Sequence, residues 1–154
     1  MKPNFMKSIT KGLALFILLF SSDRLAKFLI LKSSGSKVFT SFFSFDITIN
    51  RGIAWGFLHS DNAKIFLVVT GLILAIIVTM FWYTWQRLKI GKSVNEEILI
   101  LAGASSNLLD RVLYSGVIDF IHFHIGEWSF PIFNLADMFI VIGVLCILVS
   151  RYEP

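Results

Sequence analysis

The chain has 154 residues, of which 56% are hydrophobic, and it carries a formal net charge of +4. Its basic residues are not interleaved with aromatic residues on a polar fold, which argues against nucleic-acid binding and makes the charge a guide to membrane orientation. The one cysteine, Cys146, lies in an apolar segment and excludes an intramolecular disulfide. Without internal repeats or low-complexity tracts, the sequence predicts one membrane-embedded domain over residues 1–154.

The first predicted element is a transmembrane helix over roughly residues 10–31. Lysines precede its apolar half, as in a signal peptide, but no small-residue cleavage site follows and apolar residues resume after a polar turn. Asp23 and Lys27 lie four residues apart on one face, so they can form an ion pair. The sequence leaves open whether this pair lies at the lipid interface, with Lys27 reaching the headgroups, or in the wall of a functional site.

Residues 39–50 show strand alternation. Apolar side chains fall on the odd positions 39, 43, 45, 47 and 49, polar ones fall on the even positions 40, 44, 46, 48 and 50, and Phe42 breaks the pattern. Asn50 to Gly52 supply a turn, and residues 53–58 form a second short apolar segment. These features predict a small antiparallel sheet. Because open sheet edges cannot lie in hydrocarbon, we expect it at the outer membrane interface with its apolar face toward the lipid.

Three further helices are predicted at about residues 63–85, 96–114 and 135–149. Ile65–Trp85 has no formal charge over 21 residues, and at a rise of 1.5 Å per residue it spans roughly 30 Å, the thickness of a bilayer core. A polar loop with His122, His124 and Glu127 should precede the last helix. The two termini and the loop between the second and third helices hold seven Lys and Arg residues, against four on the other side, so both termini should be cytoplasmic.

The predicted third helix carries polar residues in an apolar setting. Gly103, Asn107 and Arg111 recur at spacing four and share a face, and Asp110 lies beside that face. Small residues on this helix allow close helix approach, so a polar network that only joins helices is one interpretation. The second interpretation is that a chemical site lies next to this network, and the two interpretations are compatible.

Two acids lie at the edges of apolar segments. Asp119 lies within the apolar run 117–121, where burial should raise the pKa of its carboxyl. Asn134 and Asp137 have the spacing of an N-cap and an N3 acid, which is an ordinary helix start, although a helix N-terminus also favours an ionised Asp137. Two carboxyls in such different environments can share one proton and divide the roles of general acid and general base, as peptide hydrolysis requires.

Other chemistries find less support in the sequence. It contains no G-x-S-x-G or H-E-x-x-H motif, and no Ser, His and Asp that sequence reasoning places together. His122 and His124 have no third ligand beside them, so neither a metal nor another cofactor is expected. The rivals are a small transporter that relays protons through membrane carboxylates, and a purely structural four-helix scaffold.

Four segments, in this order and over nearly the whole chain, resemble those of the lipoprotein signal peptidases (signal peptidase II). They are Asp23-x-x-x-Lys27, Asn50-x-Gly52-x-Ala54, Asn107-Leu-Leu-Asp-Arg111 with Val117-Ile-Asp119-Phe120, and Phe133-Asn-Leu-Ala-Asp137. The resemblance implies an aspartic endopeptidase of the bacterial inner membrane, with its active site toward the periplasmic or outer face. It implies that the substrate is a diacylglyceryl prolipoprotein, which is cleaved before its lipidated cysteine. It also implies a monomer surrounded by membrane lipids that needs no metal and is inhibited by the cyclic peptide globomycin.

The resemblance also implies roles for individual residues. Asp119 and Asp137 would form the catalytic dyad. Five residues would bind substrate or shape the site, namely Asn50, Gly52, Asn107, Arg111 and Asn134, and three would support it, namely Asp23, Lys27 and Asp110. The chain departs from the family pattern at two positions: Ser106 stands where the family usually has Gly, and Trp55 replaces a smaller aromatic residue.

Overall fold

The computed structural model describes residues 3–33, 35–52 and 62–150. Within these residues the chain is mainly helical and has one small antiparallel sheet, as predicted. The elements are α1 (Pro3–Lys32), β1 (Lys37–Thr40), β2 (Phe43–Asn50), α2 (Ala63–Lys89), α3 (Asn95–Tyr114), β3 (Val117–Ile125), β4 (Trp128–Ser129) and α4 (Leu135–Ser150). The strand order in the sheet is β1-β2-β3-β4.

Helix α2 is the one helix within the described residues that is long and apolar enough to cross a membrane. Of its 27 residues, only Phe66, Val69, Thr84 and Leu88 are buried, and most of its other apolar side chains are exposed. An outward apolar surface on a long helix is typical of contact with lipid. Helix α4 is also apolar but has 16 residues.

Helices α3 and α4 pack closely through two glycines. A Cβ atom on Gly103 would collide with the carbonyl oxygen of Ala136, and one on Gly143 would lie 2.7 Å from the carbonyl oxygen of Glu96. The backbones of α3 and α4 are therefore in close contact at both glycines, as the small residues of the third helix predicted. This contact fixes the start of α4, where Asp137 lies, against the middle of α3.

The sheet differs from the prediction in two respects. Phe42 breaks the predicted strand into a hairpin, because the chain turns between β1 and β2 at that residue. The predicted polar loop after α3 instead forms β3 and β4, and β3 is the partner of β2, with Ser44 opposite His122. The apolar start of β3 is buried along five consecutive residues, so its pattern does not alternate. The predicted segment 53–58 lies outside the described residues.

A cluster of buried charges joins α1 to α3. Lys27 Nζ lies 2.8 Å from Asp23 Oδ2 and 2.7 Å from Asp110 Oδ2, and all three side chains are fully buried. Arg24 Nη1 lies 2.5 Å from Asp110 Oδ1, so two cations face two anions. The predicted Asp23–Lys27 pair is confirmed. The interpretation in which Lys27 reaches the lipid headgroups is wrong, since its ammonium group lies between helices.

Ser106 belongs to this buried cluster. Its hydroxyl donates to Asp23 Oδ2 at 2.6 Å and accepts from Arg24 Nη1 at 3.2 Å. The other Asp23 oxygen accepts from the backbone N–H of Ala136 at 3.0 Å, and so ties the first turn of α4 to α1. The extra side chain at this helix contact is therefore accommodated by hydrogen bonds.

Candidate active site

A cavity of about 240 Å³ brings the two acids of the sequence analysis to one place. Asp119 reaches it from β3 and Asp137 from the first turn of α4. Polar residues from β2 and α3 form part of its wall, and apolar residues, most of them aliphatic, form the rest. The lining comprises Asn50, Gly52, Ile73, Ala104, Asn107, Arg111, Val117, Asp119, Phe133, Asp137, Ile140 and Val141.

Asp119 is 2% exposed and is held by two amides. Its Oδ1 accepts from Asn134 Nδ2 at 2.6 Å, and its Oδ2 accepts from Asn50 Nδ2 at 3.0 Å. Burial raises the pKa of the Asp119 carboxyl to about 7, the negative charge of Asp137 acts in the same direction, and the two amides oppose them. The predicted upward shift of this pKa is confirmed, and it depends partly on the nearby second acid.

Asp137 is held by the helix start that the sequence predicted. Its backbone N–H donates to Asn134 Oδ1 at 2.9 Å, and its own Oδ2 accepts from the backbone N–H of Asn134 at 3.2 Å. These reciprocal bonds form a capping box. Its Oδ1 accepts from Asn107 Nδ2 at 2.8 Å. The residues that cap the start of α4 are therefore also residues of the candidate site.

The orientation of all three amides is fixed by groups that can only donate hydrogen bonds. Asn107 Oδ1 accepts from Lys27 Nζ at 2.9 Å, and Asn50 Oδ1 accepts from the backbone N–H of Gly52 at 2.9 Å. Asn134 Oδ1 likewise accepts from the backbone N–H of Asp137. Because an ammonium group and a backbone N–H have no acceptor, each amide must turn its NH₂ group toward an acid. All four carboxyl oxygens thus accept one N–H bond.

Arg111 adds a positive charge beside the two acids. Arg111 as a residue is 4% exposed. Its guanidinium group lies 5.6 Å from the centre of the Phe66 ring and donates through Nη2 to the carbonyl oxygen of Gly52. Its Nε and Nη1 atoms have no hydrogen-bond partner among the described residues. Its charge nevertheless acts on both Asp119 and Asp137. A buried guanidinium group with unused N–H donors at a cavity is suited to holding a carbonyl oxygen.

The structure separates the predicted site residues into two layers. The seven residues predicted as catalytic or site-shaping meet around the cavity, with Asn134 directly behind the two acids. The three predicted supports, Asp23, Lys27 and Asp110, lie one layer further back and contact the cavity through Asn107. The sequence analysis gave no role to Arg24. Because Asp23 and Lys27 can pair with each other, the charge of Arg24 needs another partner, and this was the signal that could have linked it to Asp110.

The prediction that no Ser, His and Asp come together was wrong. Strands β2, β3 and β4 are neighbours and bring together Asp46, His122 and Ser129. Sequence reasoning missed this set because it took residues 122–129 as a loop. In the part of the chain that the structure describes, no three His, Cys, Asp or Glu side chains are arranged to hold a metal ion.

The chain is similar in sequence to one family of known proteins. The model of the family described as Signal peptidase (SPase) II matches residues 15–152. The chain belongs to the signal peptidase II family. A lipoprotein signal peptidase of Burkholderia cenocepacia is 39% identical over 144 residues, which are 89% of this chain and 83% of the relative. Another from Burkholderia ambifaria is 40% identical over 141 residues, 87% of this chain and 81% of the relative.

Two solved structures are similar to the fold of this signal peptidase II. Both are described as bacterial membrane enzymes and were determined by the in meso method, one at 2.3 Å and one at 1.9 Å resolution. The first has a TM-score of 0.74 and 26% identity, covering 94% of this chain and 89% of the other. The second has a TM-score of 0.72 and 26% identity, covering 94% of each chain. The protein is thus an integral membrane peptidase that removes signal peptides from prolipoproteins.

Proposed function

We propose that this signal peptidase II is an aspartic endopeptidase in which Asp119 and Asp137 share one proton at the catalytic centre. The observation that carries the proposal is the common cavity, in which all four oxygens of the two acids accept N–H bonds from oriented donors. Such donors stabilise one negative charge on the pair, while the mutual repulsion of the acids disfavours two.

The two acids divide the chemistry according to their surroundings. Asp137 lies at the N-terminus of α4, where a negative charge is favoured, and acts as the base that takes a proton from water. The water oxygen bonds to the scissile carbonyl carbon while Asp119 gives its proton to the carbonyl oxygen. As the C–N bond breaks, the proton on Asp137 passes to the leaving amine, and the proton of the carbonyl oxygen returns to Asp119 as the new carboxylic acid forms.

The remaining residues of the site position the substrate and the acids. Arg111 holds a substrate carbonyl oxygen through its unused N–H groups, and Gly52 keeps Arg111 in place through its carbonyl oxygen. Asn50, Asn107 and Asn134 hold the carboxyls. Behind them, Lys27 is held by Asp23 and Asp110 and fixes the amide of Asn107. The carboxyls therefore need no movement before reaction.

The substrate is a diacylglyceryl prolipoprotein, cut before its lipidated cysteine. The aliphatic wall formed by Ile73, Ile140 and Val141 supports this choice, because it offers apolar contact to a signal peptide and an acyl chain beside the acids. No cofactor is used, and the cyclic peptide globomycin should bind in the same cavity.

The enzyme works as a monomeric single domain with four transmembrane helices in the bacterial inner membrane. Outward-facing apolar side chains on α1, α2 and α4 support this arrangement, among them Leu18, Leu67 and Leu145 with exposures of 66%, 66% and 54%. The charge bias of the sequence places both termini in the cytoplasm, so the sheet and the two acids face the periplasm.

The test is incubation of the purified full-length protein in detergent with a diacylglyceryl prolipoprotein, with the shorter product detected by gel. Asp119→Asn and Asp137→Asn should each give no product, whereas Glu127→Gln, which changes an exposed acid of the β3–β4 turn, should cleave normally. The unlipidated precursor should remain intact. Cleavage by either dyad variant would contradict the mechanism. Proton flux through liposomes that carry the protein would instead favour the alternative function, a small transporter that relays protons through membrane carboxylates.

A further inference from the structure

A second group of polar side chains lies on the other face of the sheet from Asp119. His122 is three residues along β3 from Asp119, and an odd separation on a strand puts two side chains on opposite faces. His122 lies opposite Ser44 on β2, and His124 lies opposite Ser129 on β4, so these side chains share that face.

His122 joins an acid to a hydroxyl. Its Nδ1 lies 2.7 Å from Asp46 Oδ2, and its Nε2 lies 2.6 Å from Ser129 Oγ. The other contact of the Ser129 hydroxyl, with the carbonyl oxygen of Phe130, is longer at 3.5 Å. Because an ionised Asp46 can only accept, Nδ1 of a neutral His122 carries the hydrogen and Nε2 accepts from the Ser129 hydroxyl.

Asp46 is suited to orienting the imidazole. Hydrogen bonds from Ser36, Ser44 and His122, in that order of size, lower the pKa of Asp46 to about 2, so it is ionised at neutral pH. The Ser44 hydroxyl donates to the same Asp46 oxygen at 2.5 Å and fixes its position. The order of contacts, from serine to histidine to carboxylate, is that of an activated serine nucleophile.

We propose that Ser129, His122 and Asp46 form a second nucleophilic site, separate from the dyad, which reacts with carboxylic esters. Ser129 is exposed and accessible, whereas His122 and Asp46 are shielded, with side-chain exposures of 18% and 29%. The ring of His124, 5.0 Å from that of His122 between centres, lies on the same face and can donate an N–H bond to the developing oxyanion.

The reaction balances without a metal or redox partner. Ser129 Oγ bonds to the ester carbonyl carbon while its proton moves to His122 Nε2. The alcohol leaves when the carbon–oxygen bond breaks, and it takes that proton from the imidazolium. Water then attacks the acyl-serine, gives its proton to Nε2, and releases the acid as Ser129 recovers its hydrogen.

A fluorophosphonate probe and p-nitrophenyl butyrate test the proposal on the full-length protein in detergent. The probe should form an adduct on Ser129, located by peptide mass spectrometry, as the Ser129–phosphorus bond replaces the phosphorus–fluorine bond. Ser150, whose hydroxyl donates to the Ile147 carbonyl oxygen, is the internal control and should stay unlabelled. Asp119→Asn should retain both adduct formation and butyrate hydrolysis, which separates this site from prolipoprotein cleavage.

His122→Gln is the decisive variant. Glutamine keeps a donor for Asp46 but cannot take a proton, so adduct formation and hydrolysis should fall roughly a hundredfold. A thermal unfolding curve matching that of the parent protein will show that the variant is folded. Failure to label Ser129, or equal labelling rates in His122→Gln and the parent, would overturn the proposal and reduce the three residues to a clamp between strands.

Discussion

Two buried groups of charges in the described part of the chain differ in how their charges are compensated. Between α1 and α3, two acids face two cations, Arg24 and Lys27, at 2.5–2.8 Å. At the cavity, Asp119 and Asp137 accept hydrogen bonds from side-chain amides and a backbone N–H, and the nearby Arg111 donates to the carbonyl oxygen of Gly52. A neutralised cluster holds helices together, whereas an acid pair that lacks a full counter-charge retains a proton for chemistry.

Lys27 connects the two groups, so its loss should have the largest effect. Lys27→Met leaves Asp23 and Asp110 with less compensation and frees the amide of Asn107. Removing one partner of a buried ion pair typically costs about 3–5 kcal/mol, so we expect a large fall in the unfolding temperature and loss of cleavage. Lys7→Met, at an exposed position of α1, is the matched control and should leave both unchanged. Normal unfolding of Lys27→Met would show that the cluster contributes little to stability.

The uncompensated acids should instead destabilise the fold. The folded-state pKa of Asp119 is raised from 3.8 to about 7, so the folded protein holds its proton more tightly and loses stability as pH rises between these values. Asp119→Asn should therefore raise the free energy of unfolding at pH 8, by an amount on the order of 2 kcal/mol and with a higher unfolding temperature, and should change both little at pH 4. Thermal unfolding in detergent at both pH values measures this, and destabilisation at pH 8 would contradict it.

The same carboxyl should set the alkaline limit of activity. Because Asp119 must carry its proton, kcat/KM should fall about tenfold per pH unit above roughly pH 7. The Asn50 amide lowers the pKa of Asp119, so Asn50→Ala should slow cleavage and move this limit to higher pH. A pH–rate profile for the two proteins tests both statements. A limit that moves to lower pH would show that Asn50 does not stabilise the ionised form.

Ser106 should have the smallest effect, because Lys27 still compensates Asp23 when the hydroxyl is removed. Ser106→Ala loses hydrogen bonds to Asp23 and Arg24 and should cost about 1 kcal/mol of unfolding free energy, with cleavage nearly unchanged. Ser106→Gly adds the helix cost of glycine, about another 1 kcal/mol. Denaturation of the two variants side by side separates the terms, and a fall in kcat without a loss of stability would place Ser106 in the site itself.

The sequence predicted the helices and the two acids for physical reasons, whereas the site roles of Asn50, Gly52, Asn107 and Arg111 rested on the family resemblance. A continuous apolar run of membrane length and the capping box of Asn134 and Asp137 each consist of residues that are close in sequence. Both can therefore be recognised without knowing the fold. The partner of β2 could not be read, because the buried start of β3 does not alternate and strand pairing depends on distant residues. The meeting of Asp46, His122 and Ser129 follows from that pairing and was missed with it.

The most direct test of the shared proton is infrared spectroscopy of the purified protein across a pH series, following the carbonyl stretch of a protonated carboxyl. A band that disappears near pH 7 and is absent in Asp119→Asn is the expected result. In Asp137→Asn the midpoint should move to lower pH, because the negative charge that raises the pKa of Asp119 is gone. An unchanged midpoint in Asp137→Asn would mean that the two acids do not sense each other and would contradict the dyad.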